Sequence, residues 1–190
     1  MPDPIGTILP SAGRAIVELL KTEGGFIDGD IAMKSVVDAA TSAKVSMFLF
    51  QVAVNAAMRN AEPEEVGLDA LRPPPLPLDL IYLLTPLSQD ADTALGHLES
   101  VMRVFHDHPV MKAPLLPAIL VDAGNEVLRI TPHALTLEDT NRLWAMFPNK
   151  GYSLSVSYLV SPLYVPSART LPVTRVAEKV TRVFRTGRPA

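Results

Sequence analysis

The period of apolar positions changes several times along the chain, and each change marks an element. Over residues 4–22, Ile8, Leu9, Ala12, Ile16, Leu19 and Leu20 recur at helical spacing, and Gly24-Gly25 closes the pattern. Pro10 lies inside this stretch, so its start is either irregular or set by that proline. Residues 26–43 have no clear period: Gly29 and Asp30 suggest a turn, and Ile31 to Ala43 suits a short strand or a helix. Residues 45–54, VSMFLFQVAV, are rich in β-branched and aromatic residues and uncharged. That composition predicts a strand buried on both faces. The run Leu76 to Leu87 predicts a second strand paired with the first, with Pro77 tolerable at an edge or an end. Between them lie Asn55 to Asn60 and an acidic, proline-rich loop from Glu62 to Pro75.

Asp90 to His106 predicts a helix capped by Asp90 or Asp92, with Leu95, Leu98, Val101, Met102 and Phe105 as its apolar stripe. His106-Asp107-His108-Pro109 ends it. Two short apolar segments, Ala118 to Val121 and Val127 to Ile130, flank Gly124-Asn125 as a hairpin would. Thr136 can cap a short helix reaching Phe147, with Leu143, Trp144 and Phe147 facing inward. From Tyr152 to Val160, large residues alternate with serines, which predicts a strand with one buried face. Separated strands and helices without regular βαβ alternation point to an α+β fold, a mixed or antiparallel sheet flanked by helices.

Composition narrows the class. Hydrophobic residues make up 48% and charged residues 19%, too apolar and too weakly charged for disorder. There is no cysteine, which excludes a disulfide scaffold, thiol catalysis and cysteine-bound metal. No stretch resembles a membrane span or a secretory leader, so the expected location is the cytoplasm or an assembly made there. The net charge of −3 conceals an asymmetry. Residues 1–165 hold 11 basic and 19 acidic side chains, whereas residues 166–190 hold 6 basic and 1 acidic. The expected organisation is a single domain over 1–165 and a basic arm over 166–190. Arg169, Arg175, Val176, Lys179, Val180, Arg182, Val183 and Arg185 are the candidate protein-interaction residues of the arm. Its valines fit a helix or an extended strand. Aromatics do not alternate with the basic residues, Phe184 standing alone between Arg182 and Arg185, so nucleic acid is not an expected partner.

Recognisable chemistry is lacking. The sequence has no P-loop, dinucleotide-binding, GxSxG or HExxH motif. His106 and His108, two apart, read as a helix end rather than as metal ligands with His97, and His133 reads as a turn residue. Asp79, within an apolar strand, is the carboxylate expected to be buried, and it reads as accepting local hydrogen bonds or sitting on an exposed strand face rather than as functional. Neither a catalytic site, a metal nor a cofactor is expected.

Several stretches nevertheless share the order of one family. They are MFLFQVAVNAAMRN (47–60), LPLDLIYLLTPL (76–87), ALGHLESVMRVFHDHPVM (94–111), ALTLEDTNRLWAMFPNKGYSLSVSYLVSPLYV (134–165) and LPVTRV (171–176). Together they resemble the N-terminal domain of the tail-terminator or cap proteins of contractile injection systems of the virulence-cassette and antifeeding-prophage class. The resemblance implies a phage tail-terminator-like fold and a non-enzymatic structural role. It implies a homo-oligomer, a hexameric ring, that contacts sheath and inner-tube proteins and ends their polymerisation distal to the baseplate. The alternatives are a neck or tail-completion protein of a phage-like particle and a monomeric ligand- or nucleic-acid-binding module.

Overall fold

A computed structural model describes residues 7–67, 69–147 and 149–172. Its first element, α1 (Ile8–Gly24), buries Ile8, Ala12, Ala15, Ile16, Leu19 and Leu20 along one side. Pro10 sits in the first turn, where a missing N–H deprives the helix of no bond. Gly25 ends the helix at φ 71°, a left-handed conformation that glycine adopts without steric cost. The unpatterned stretch that follows holds only a two-residue strand, β1 (Ile31–Ala32), and turns.

The apolar run becomes β2 (Val45–Val54). Two short strands, β3 (Glu64–Glu65) and β4 (Ala70–Arg72), occupy the acidic loop before β5 (Leu76–Pro86). Then come α2 (Ala91–Asp107), β6 (Val110–Lys112), α3 (Ala118–Asp122), β7 (Val127–Pro132), α4 (Leu137–Ala145), β8 (Val156–Val165) and β9 (Leu171–Pro172). Six strands form the main sheet in the order β1-β2-β5-β8-β7-β6; β3, β4 and β9 form a small second sheet. Only β1–β2 pairs in parallel, so the main sheet is mixed. The α+β expectation holds.

Side-chain alternation divides the molecule at this sheet. Leu78, Leu80, Tyr82 and Leu84 of β5 face the main core with Ile16, Leu20, Val101, Phe105 and Leu120 from α1, α2 and α3. Leu83 faces the other way, toward Val36, Leu143, Trp144 and Phe147. Burial pushes the Tyr82 phenol up to about 12 and raises that of Tyr158. Because Tyr82 keeps its proton in the folded state beyond the unfolded value near 10, its contribution to stability is complete below that value. It is lost as the pH rises from about 10 to 12. A late tyrosinate absorbance component is expected in alkaline titration, and Tyr82→Phe should remove it.

Several sequence expectations are corrected. β2 is buried on both faces only over Val45–Met47; Gln51, Val52 and Val54 are exposed. The stripe of α2 is narrower than expected, with Leu98, Val101, Val104 and Phe105 buried but Leu95 52% and Met102 45% exposed. Gly124-Asn125 does not turn a hairpin. It joins α3 to β7, and the hairpin partner of β7 is β6. The cause is Asn125, fully buried, whose side chain accepts from the Tyr164 N–H at 2.7 Å and donates to the Tyr164 carbonyl at 2.9 Å. β8 begins at Val156 rather than Tyr152, because Tyr152 leaves the ladder to pack edge-on against Trp144. Pro162 does not end β8. Leu80 pairs with Val160 and Leu78 with Leu163, so Ser161 and Pro162 together oppose Asp79 in a β-bulge, where a proline is accommodated.

Candidate assembly surface

The polar side chains drawn into the fold serve mainly to join elements. Asp79, half-buried, accepts from Asn55 Nδ2 at 2.9 Å and from the Ser161 hydroxyl. The Asn55 carbonyl oxygen caps the one-turn helix Ala56–Met58. That network pins the end of β2 to the bulge of β8. The more deeply buried carboxylate is Asp30, 5% exposed, which the sequence reading missed. Its side chain accepts from the Ile27 N–H at 2.9 Å and from Lys44 Nζ at 2.8 Å. Burial pushes the Asp30 carboxyl up, but the Ile27 N–H and the Lys44 ammonium outweigh it and hold the group below its ordinary value. A partner fourteen residues away leaves no local sequence signal.

The histidines do not converge. His106 lies in the last turn of α2, His108 caps it and reaches Glu23 at 3.6 Å, and His97 packs against Phe26. Among the described residues no group of three or more potential ligands could hold a metal ion. His133 sits between β7 and α4, where its carbonyl accepts from the Ser157 hydroxyl. Trp144 is buried as expected, with Phe147 at 5.5 Å and Tyr152 at 5.7 Å, but on the sheet face opposite most of α2. Only Met102 of α2 shares a cavity with it.

Two groups of exposed apolar side chains bear on assembly. One is a groove of about 990 Å³ between α2 and the strands β7 and β8, lined by Leu95, Met102, Phe105, Ile130, Leu154 and Tyr158. It adjoins a second cavity of about 370 Å³ beside Trp144, with Met102, Pro132 and Tyr158 common to both. The other is the distal half of β2, where Val52 and Val54 stand 45% and 48% exposed near Met58 and Leu76. By register they lie beside Leu80 and Leu78 on the face of the main core, past the cover that the helices provide. Neither surface was foreseen. Periodicity identifies an apolar stripe but not how much of it a neighbouring element covers.

Of the arm, Arg169 is described and exposed, with its N–H on the Ser167 hydroxyl at 3.2 Å. Leu171 and Pro172 pair with Leu71 and Ala70 of β4. Arg175, Val176, Lys179, Val180, Arg182, Val183 and Arg185 lie outside the described residues. Among the described residues, no helix is long and apolar enough to cross a membrane.

Residues 12–179 match the family model of the Pvc16 N-terminal domain. The fold is shared with a PVC sheath/tube terminator of an extracellular contractile injection system in its extended state. The two are 19% identical with a TM-score of 0.66, over 94% of this chain and 64% of that one. It is shared also with the tube terminating cap of the anti-feeding prophage, at 19% identity and a TM-score of 0.63, over 95% of this chain and 63% of that one. The chain thus spans just under two thirds of the length of either structure. Among curated proteins, no sequence matches.

Proposed function

Since the chain belongs to the Pvc16 N-terminal domain family, we propose that it is the structural tail terminator, or cap, of a phage-tail-like contractile injection system. It ends tube and sheath polymerisation at the end distal to the baseplate. The observation that carries this reading is the fold shared over 94% of the chain with a sheath/tube terminator. The surface is consistent with it. Buried polar groups tie elements together, and exposed apolar side chains line a groove and a strand edge suited to protein contacts.

In this reading the chain acts without catalysis or a cofactor and assembles as a homo-hexameric ring on the terminal layer of the particle. Its partners are sheath and inner-tube proteins. Assembly takes place in the bacterial cytoplasm, and residues 166–190 form a basic arm that docks on a neighbouring subunit. Deleting the gene tests the role. Electron microscopy of the deletion strain is expected to find sheath–tube particles of uncontrolled length, or none that survive purification. Particles of normal, uniform length would refute the terminator reading.

A further inference from the structure

Among the described residues, an open edge runs along most of β2. On the side away from β5, β1 pairs only with Val45 and Ser46. Among the described residues, no strand pairs with that side of residues 47–54. This leaves roughly 25 Å of strand edge. Natural proteins defend such an edge with charges, prolines, short strands or a covering segment, because its backbone groups otherwise pair with other chains. Apart from a bulge at Phe50, β2 has none of these defences: ten residues contain no charge and no proline. Val52 and Val54 add exposed apolar side chains to the same stretch.

From this combination we infer that the β2 edge is a strand-acceptor site for residues 173–184 of a second copy of the chain. The inference rests on the ring proposed above and specifies the contact between its members. Four observations select this occupant. β9 shows that the chain enters the region in strand form, paired with β4. The residues that follow, VTRVAEKVTRVF, are rich in valine and threonine, which suit a strand. Taken as a strand, the twelve residues 173–184 cover about 40 Å, enough to line the roughly 25 Å of open edge. Finally, Arg175, Lys179 and Arg182 meet charge of opposite sign, because exposed Glu62, Glu65 and Asp69 outnumber Arg59 in the connection leaving β2, where Glu64 pairs with Arg72 at 3.5 Å. Main-chain pairing supplies affinity, and the acidic connection supplies direction. Each copy carries one edge and one arm, so the contact is head-to-tail and can close into a ring.

The absence of cysteine makes the test direct. Full-length chains carrying Val52→Cys are mixed under oxidising conditions with differently tagged full-length chains carrying Val176→Cys, Val180→Cys or Val183→Cys. A control pairs the same arm variants with Ile27→Cys, an exposed position in the α1–β1 connection. At least one Val52 pair is expected to form inter-chain disulfides tenfold or more above the control. Raised salt, or Arg175→Glu with Arg182→Glu, should lower that yield. Yields equal to the control overturn the inference. A disulfide that closes only within one chain, when both cysteines are placed in the same copy, also overturns it. Either result, together with elongated particles in the deletion strain, removes this docking mode while the terminator role stands.

Discussion

Trp144→Ala is expected to destabilise the protein by about 3–5 kcal/mol, the usual cost of emptying a large aromatic site in a core. Trp144 is 7% exposed and is the centre of the smaller core, with Leu143, Phe147, Leu83 and Val36 around it. That core alone fixes α4 to its face of the sheet, so neighbouring elements are poorly placed to collapse into the space. Among the described residues, the buried indole N–H has no hydrogen-bond partner. Trp144→Phe therefore removes an unsatisfied donor while keeping an aromatic ring, and should cost about 1.5 kcal/mol or less. Denaturant unfolding followed by circular dichroism measures both variants, with the midpoint lowered and the slope unchanged. Equal losses for alanine and phenylalanine would show that the site does not depend on filled volume. Trp144 is also the sole tryptophan, so native fluorescence should be that of a buried indole.

Truncation after Pro172 should have the largest effect on assembly and little effect on folding. Such a chain keeps both sheets, including the β4–β9 pairing. Its unfolding free energy is expected to stay within about 0.5 kcal/mol of the full-length value, the range of changes that touch no core feature. Incorporation into particles should nevertheless be lost, because the truncation removes Arg175, Lys179, Arg182, Arg185 and Arg188 with the apolar positions between them. Affinity purification of tagged particles from cells expressing only the truncated chain measures this. Truncated chains that still cap particles of normal length would exclude a role for the arm.

What the sequence revealed follows the range of each physical signal. Local signals were accurate. Asp90 and Thr136 cap their helices through the Thr93 and Asp139 N–H groups, as their positions before amphipathic runs suggest. The pairing of β2 with β5 was readable from two apolar runs joined by a turn-rich segment. Non-local pairings were not readable. Asn125 reads as a turn residue in the sequence because its clamp on Tyr164 spans 39 residues. The continuation of β8 past Val160 through Pro162 is not legible either, because a proline there is tolerated only in the bulge opposite Asp79. For the surface, the sequence marked the basic arm by its charge. It could not mark the open edge of β2, because an uncharged apolar run looks the same whether it is central or terminal in a sheet.

The position of the chain in an intact particle tests the terminator reading most directly. Wild-type particles carrying a tagged chain can be imaged by electron microscopy after gold labelling of the tag. Label is expected at one end only, opposite the baseplate. Six copies of the 20.5 kDa chain give a mass of about 120 kDa for that terminal layer. Label spread along the sheath, found at the baseplate, or absent from purified particles would contradict a terminator.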